Sequence, residues 1–149
     1  GNGFVTQGYI YPAGTLGESN GVNPDGSPEF PDSVLGEWTC YGYFVGDGAH
    51  TENGPWVVTT QVFEFSSDLV GGQTIVTVGS ETPAGAGTAL RAVVGGTGRF
   101  SRISGEVAQV TLGHNLSEGV NATFSFDLNG AKLQSVTNSK TSIPAGRII

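Results

Sequence analysis

The chain lacks methionine, contains a single cysteine and is poor in charged residues, which make up 13% of its 149 positions. One cysteine cannot form an internal disulfide, and it excludes a metal site built from several thiolates. The residues that favour long helices are scarce, whereas 25 positions are glycine, and this balance argues against a helical bundle. The composition therefore predicts an all-β protein, and the length suits a single domain over residues 1–149.

Positive charge is also scarce, because six Lys and Arg residues stand against thirteen Asp and Glu and leave a formal net charge of −7. A chain with so few cations cannot neutralise a row of phosphates, so nucleic acid is not an expected partner. No apolar run approaches the roughly 18 residues that a membrane span requires. Low charge, abundant small polar residues and the lack of methionine favour a secreted or extracytoplasmic protein, although the sequence contains no signal-peptide pattern.

Short runs rich in Val, Thr, Phe, Tyr and Trp alternate with clusters of Gly, Pro, Asn and Asp, which is the pattern of strands joined by turns. No segment has the 3.6-residue apolar period of an amphipathic helix over three turns. The predicted strands cover residues 4–11, 34–45, 55–65, 73–80, 89–94, 102–112 and 120–128, with a possible eighth at 132–139. Their spacing favours hairpins, so we expect an antiparallel sheet closed into an eight-stranded barrel.

One loop, residues 12–33, is too long for a hairpin turn and contains four prolines. A loop of this length and composition is expected to cover a barrel mouth or an interface, and this one is the best lid candidate. The strand predicted at 55–65 is apolar on both faces, which indicates that the outside of the barrel packs on another subunit.

A glycine-rich stretch, GGTG at residues 95–98, separates the fifth and sixth predicted strands. A phosphate-binding loop would need a following Lys-Ser/Thr and a helix, and neither is present. The simpler interpretation is that Gly95, Gly96 and Gly98 supply positive φ angles at a tight corner without side chains.

The stretch VVGGTGRF (93–100) with SGEV (104–107) resembles a signature of the plant dirigent proteins and, as GG-S/T-G, of the allene oxide cyclases. The segments 36–45, 59–65, 74–81 and 121–128 are similar to barrel strands of these families. The resemblance implies an eight-stranded antiparallel barrel that forms a homotrimer. It also implies a hydrophobic small-molecule substrate or ligand, whose cyclisation or coupling is steered by shape and without a cofactor.

The same resemblance implies which side chains face the cavity. Cys40 aligns with a pocket cysteine of the cyclases, and this register turns inward Val57, Thr59, Gln61, Phe63, Phe65, Thr77 and Glu81. Glu81 stands where the cyclases have an inward tyrosine and the dirigent proteins an inward aspartate. The cyclases have a Glu and an Asn two positions apart on their first strand. The corresponding residues here are Gln7 and Tyr9, or Tyr9 and Tyr11. Neither alignment preserves the pair, so allene oxide cyclisation itself is not predicted.

The residues suggest roles within such a cavity. Glu81 either lies dry beside aromatic rings, where desolvation would raise its pKa and suit it to move a proton, or it lies solvated at the rim. Tyr9 and Tyr11 either line the pocket or are core tyrosines with solvated hydroxyls. Gln61 is either a ligand anchor or a structural hydrogen-bonding group. We take Glu81, Tyr9 and Gln61 as catalytic candidates and Tyr11, Trp38, Cys40, Thr59, Phe63 and Phe65 as substrate-binding candidates.

The sequence gives little support for a reactive cysteine, a metal site or a hydrolase. Cys40 has no cationic neighbour in the sequence and is expected to be a buried, unreactive thiol. The two histidines have no spacing that would bind a metal, and no nucleophile elbow is present. The favoured function is a cofactor-independent isomerase or cyclase, with Glu81 moving the proton. Two alternatives remain open: an enzyme that modifies a small aromatic such as a phenazine by tautomerisation, and a barrel that only holds or carries a ligand.

Overall fold

The structure, a computed structural model, describes residues 2–17, 20–46, 56–81 and 87–129, together with the backbone of 141–146. The described regular structure consists of β-strands and two short 3-10 turns, Pro31–Ser33 and Gly98–Phe100. In chain order the strands are β1 Gly3–Ile10, β2 Gly36–Phe44, β3 Val57–Phe65, β4 Thr74–Glu81, β5 Thr88–Gly96, β6 Ser104–His114, β7 Val120–Asn129 and β8 Thr141–Gly146.

Each strand pairs with the next one in antiparallel fashion, so β1 to β7 form one curled meander. The backbone of β8 pairs with β7 over five residue pairs and with β1 at Tyr9 and Ile10. The expected all-β, antiparallel, barrel-like architecture is confirmed. The possible strand at 132–139 lies outside the described residues. The last described strand begins at Thr141.

Side chains alternate between the inside and the outside of the curled sheet, as the period of a strand requires. In β3 every second residue is buried: Val57, Thr59, Gln61, Phe63 and Phe65. Thr77 in β4 is buried as well. The inward orientation inferred for this set therefore agrees with the structure.

One half of the interior, which we call the closed half, is filled with aromatic rings. The Phe63 ring lies 4.9 Å from that of Phe124 and 5.1 Å from that of Phe126, both in edge-on geometry. Phe65 packs on Phe100, which follows the glycine-rich stretch. Close packing of large rings of this kind supplies most of the hydrophobic stabilisation of a small domain.

The glycine-rich stretch forms the expected corner between β5 and β6. Gly95 and Gly98 have φ angles of +152° and +59°, which favour glycine. Gly96 is needed for a different reason, because a Cβ there would collide with the carbonyl oxygen of Thr74 and lie 2.8 Å from Phe100. The prediction of positive φ was thus wrong for Gly96, where close approach of the backbone is what excludes a side chain.

The long loop packs on the barrel through backbone oxygens. Tyr9 donates a hydrogen bond to the carbonyl of Gly26 at 2.9 Å, and Tyr11 donates one to the carbonyl of Gly21 at 2.6 Å. The side chain of Asn121 in β7 donates to the carbonyl of Asn20 at 2.9 Å. Among the described parts of the chain, no helix is both long and apolar enough to cross a membrane.

Candidate functional site

A cavity of about 320 Å³ opens at the end of the barrel opposite the closed half. Its walls come from the start of β1, β3 and β7 and from the end of β2, β4 and β6. These strand ends meet because neighbouring strands are antiparallel: Val57 pairs with both Phe44 and Glu81. We call this part of the interior the open half.

The cavity is mainly apolar and aromatic. Phe4 and Phe44 have ring centroids 5.3 Å apart, and Phe44 and Trp56 have centroids 5.4 Å apart. Trp38 also lines the cavity and packs on Phe124, at 6.0 Å, which belongs to the closed half. The aromatic rings of Phe124 and Trp38 therefore connect the filled part of the interior to the cavity.

Glu81 is the acidic residue of the inner wall, and its carboxylate is held by four hydrogen bonds. Oε1 accepts from Thr59 Oγ1 at 2.8 Å, from Gln61 Nε2 at 3.2 Å and from Arg91 Nη1 at 2.9 Å. Among the described residues, Gln109 Nε2 alone donates to Oε2, at 3.0 Å. Oε2 thus keeps more capacity to accept a hydrogen bond than Oε1 does.

Arg91 forms an ion pair with Glu81 from inside the barrel wall. The guanidinium also donates to Thr77 Oγ1 and to the carbonyl of Thr59, both at 3.1 Å. Its side chain is fully buried, whereas 21% of the Glu81 side chain is exposed. Burial lowers the pKa of Arg91 and the nearby Glu81 carboxylate opposes this shift, but an arginine remains charged in a protein. The pair therefore presents its negative end to the cavity.

The local sequence explains how an arginine fits inside the barrel. In β5 the buried positions are Arg91 and Val93, and their neighbours Leu90, Ala92 and Val94 are exposed. Gly79 on β4 is next to Arg91 on β5, and a Cβ added at Gly79 would lie 3.2 Å from Arg91 Cγ. The absence of a side chain at Gly79 leaves the space that the arginine occupies.

The remaining polar atoms of the interior are incompletely satisfied. Gln61 donates to Gln109 Oε1 at 2.9 Å in addition to Glu81, so both of its amide hydrogens are used. Among the described residues, the Gln61 amide oxygen and the Trp38 indole nitrogen have no hydrogen-bond partner. Such buried, unpaired atoms cost about 1–3 kcal/mol each and are uncommon in proteins.

Cys40 lies in the cavity wall as a buried thiol. The pKa of the thiol is raised to about 12, mainly by desolvation and in addition by the charge of Glu81, while Arg91 opposes this shift. A thiol of this kind is not a nucleophile near neutral pH. The described residues contain no cluster of three or more His, Cys, Asp or Glu that could hold a metal ion.

Several residues that the sequence suggested for the site lie elsewhere. Tyr9 is on the opposite face of β1 from Phe4 and Thr6, and with Tyr11 it holds the long loop. Phe63 and Phe65 fill the closed half and line no part of the cavity. Gln61 and Thr59 lie behind Glu81, whereas Trp38 and Cys40 line the cavity directly.

The long loop is not a lid for this cavity, because none of its described residues lines the walls. The mouth is instead bordered by Phe44, Trp56 and the β6–β7 turn, Ser117–Gly119. Sequence reasoning overlooked Arg91 and Gln109. Alternation could have identified both, since Arg91 precedes Val93 by two positions and Gln109 follows Val107 by two, and all four are buried.

No protein-family model matches the chain, and neither a curated protein nor a solved structure matches it.

Proposed function

We propose that this protein is a barrel of the allene oxide cyclase and dirigent type that isomerises or cyclises a hydrophobic small molecule without a cofactor. The observation that carries the proposal is the Glu81 carboxylate, fixed by four donors at the inner wall of an apolar cavity. A cavity of about 320 Å³ is at the lower end of the size range of small-molecule sites. We expect a compact ligand with one to three rings.

Glu81 is the proposed acid–base group. Its Oε2 atom accepts a single hydrogen bond from the part of the chain that the structure describes. This is therefore the oxygen that would take a proton from a substrate carbon and return it to another position of the same molecule. Such a transfer leaves the composition of the substrate unchanged and needs no cofactor. Arg91 stabilises the negative charge, while Gln61, Thr59 and Gln109 hold the orientation of the carboxylate.

The same geometry would serve the tautomerisation of a small aromatic, for example a phenazine. A barrel that only holds its ligand is the second candidate function, and a specific observation favours it. Glu81 forms an ion pair with Arg91 at 2.9 Å. A carboxylate with a counterion and four donors can also act purely as a polar anchor.

Ligand binding is the first part to test. We would titrate the purified protein with 2-naphthylmethanol by calorimetry and, in parallel, search for a co-purifying hydrophobic molecule by native mass spectrometry. Filling the cavity with Thr111→Trp, at a partly exposed wall position, should abolish binding of the alcohol. Equal binding by wild type and Thr111→Trp would show that this cavity is not the ligand site.

Catalysis is tested once a ligand has been identified. Glu81→Gln should retain ligand binding and lose turnover, whereas Glu37→Gln, which removes an exposed carboxylate from the outer face of β2, should retain both. Unchanged turnover in Glu81→Gln would remove Glu81 from the mechanism. Ligand that is bound and released unaltered by the wild type would support the holding function.

The quaternary structure belongs to the same proposal. The outer faces of the strands expose several large apolar side chains, among them Val5, Tyr43, Leu90 and Val94. Such a surface is consistent with burial between the subunits of a homotrimer. Light scattering coupled to size-exclusion chromatography should give three times the mass of 15.3 kDa, and a monomer would contradict the proposal.

We further propose that the sheet closes as an eight-stranded barrel and that the protein is exported. Closure is supported by the pairing of the β8 backbone with both β7 and β1. Hydrogen exchange should then protect the amides of β8 as well as those of β1. Export is supported by composition alone, and fractionation of the native cells should recover the protein outside the cytoplasm.

A further inference from the structure

We infer that the cavity selects hydrophobic cations, such as a protonated or quaternary amine attached to a ring system. The inference rests on the proposed binding of a small hydrophobic molecule, and it adds the charge of that molecule. It follows from three features of the open half: the sign of its charges, its aromatic walls and the turn at its mouth.

The charges that reach the cavity are negative. Glu81 at the inner wall and Glu118 at the mouth are the ionisable carboxylic acids among its lining residues, and no described Lys, Arg or His lines it. Arg91 offsets part of the charge of Glu81, but its guanidinium is buried behind the carboxylate, so the negative end of the pair faces the cavity. The formal net charge of −7 adds a long-range attraction for cations and opposes the approach of anions.

Aromatic rings surround the entrance. Phe4, Phe44 and Trp56 form a chain of ring contacts with centroid separations of 5.3 and 5.4 Å, and Trp38 lines the cavity as well. The face of an aromatic ring attracts a cation, most strongly for tryptophan and most strongly when the site excludes water. A neutral ring system would use the same surfaces, whereas an anion would meet ring faces and carboxylates of unfavourable sign.

The turn at the mouth fixes Glu118 in an unusual backbone conformation. Glu118 has a φ angle of +62°, the single described non-glycine residue with positive φ. Its amide donates to the carbonyl of Asn115 at 3.0 Å, and the Asn115 side chain is itself held by Asn121 at 3.1 Å. A left-handed conformation is unfavourable for a non-glycine residue. The turn thus maintains a carboxylate at the cavity entrance despite this cost.

Three naphthalene derivatives of similar size test the inference: (2-naphthylmethyl)trimethylammonium, 2-naphthylmethanol and 2-naphthylacetate. We expect calorimetry at low ionic strength to give the ammonium ion an affinity about tenfold higher than the alcohol, and the carboxylate the lowest affinity of the three. The ratio of ammonium to alcohol affinity should fall as salt is added. An alcohol that binds as tightly as the ammonium ion would overturn the inference and leave the binding function intact, whereas failure of all three would reject the binding function itself.

A matched pair of variants separates the local carboxylate from the net charge. Glu118→Gln should lower the ratio of ammonium to alcohol affinity about threefold. Glu37→Gln changes the net charge equally but lies on the outer face of β2, so it should leave the ratio unchanged. An equal change in both variants, or none in Glu118→Gln, would assign the preference to a source other than the carboxylate at the mouth. Thermal unfolding of both variants checks that they are folded.

Discussion

Arg91→Met should destabilise the protein strongly, because it leaves the Glu81 carboxylate without a counterion. Removing one partner of a buried ion pair costs about 3–5 kcal/mol. The Glu81 side chain is 21% exposed and keeps its bonds from Thr59, Gln61 and Gln109, so we expect a loss at the lower end, about 3 kcal/mol at pH 7. Urea unfolding followed by tryptophan fluorescence measures this loss.

The loss should depend on pH in a defined direction. In Arg91→Met the charged form of the carboxylate is disfavoured in the folded state, so protonation relieves the penalty. The stability difference between wild type and variant should therefore be largest at neutral pH and should shrink as the solution is made acidic.

The double variant Glu81→Gln with Arg91→Met provides the control. It contains neither charge, and removing both charges of a buried pair is often close to neutral. The double variant should thus be more stable than Arg91→Met alone, with a coupling energy of about 2 kcal/mol. A single variant that loses less than about 1 kcal/mol at every pH, or a double variant whose loss equals the sum of the single losses, would refute the ion-pair argument.

Further predictions concern the corner, the closed half, the cysteine and the long loop. Gly96→Ala should lose about 1–3 kcal/mol in chemical unfolding through the collision with Thr74 and Phe100, whereas Gly46→Ala, with no atom near its Cβ, should be nearly neutral. Phe63→Ala should lose about 3–5 kcal/mol of the free energy of unfolding, and a smaller loss would mean that the closed half is loosely packed. Because the pKa of Cys40 is raised to about 12, a disulfide reagent at pH 8 should label the thiol only after unfolding, and rapid labelling of the folded protein would contradict its burial. Tyr11→Phe should lose about 1 kcal/mol by removing the hydrogen bond to Gly21, with unchanged binding of 2-naphthylmethanol; weaker binding would return Tyr11 to the site.

The first seven strands were predicted from runs of Val, Thr and aromatic residues between clusters of turn-forming residues, because such side chains favour the pleated backbone. In β3 the inward orientation of Val57, Thr59 and Gln61 was inferred from the family resemblance at Cys40, and these residues are buried in the structure. The possible strand at residues 132–139 lies outside the described residues. Thr141–Gly146 was not recognised as a strand because it contains Pro144, and proline is a poor indicator of a strand.

The site was harder to predict, because its chemistry depends on pairings between distant strands. Glu81 was recognised, but the donors of its hydrogen bonds lie 10 to 28 residues away in sequence. No local sequence pattern predicts that a buried arginine will form an ion pair with that carboxylate. Tyr9 was assigned to the wrong face because the register of β1 was inferred from the families it resembles, whereas in the structure Phe4 and Thr6 line the cavity and Tyr9 faces the loop.

The division of the interior into a packed half and an open half has an evolutionary consequence. The packed rings of the closed half, among them Phe63, Phe65 and Phe126, contribute much of the free energy of unfolding. Substitutions around the entrance should therefore reduce that free energy only slightly. Mutations at Phe44, Trp56 or the β6–β7 turn can accordingly accumulate and be screened for new ligands. The ligand specificity of the barrel can therefore change during evolution while its fold is retained.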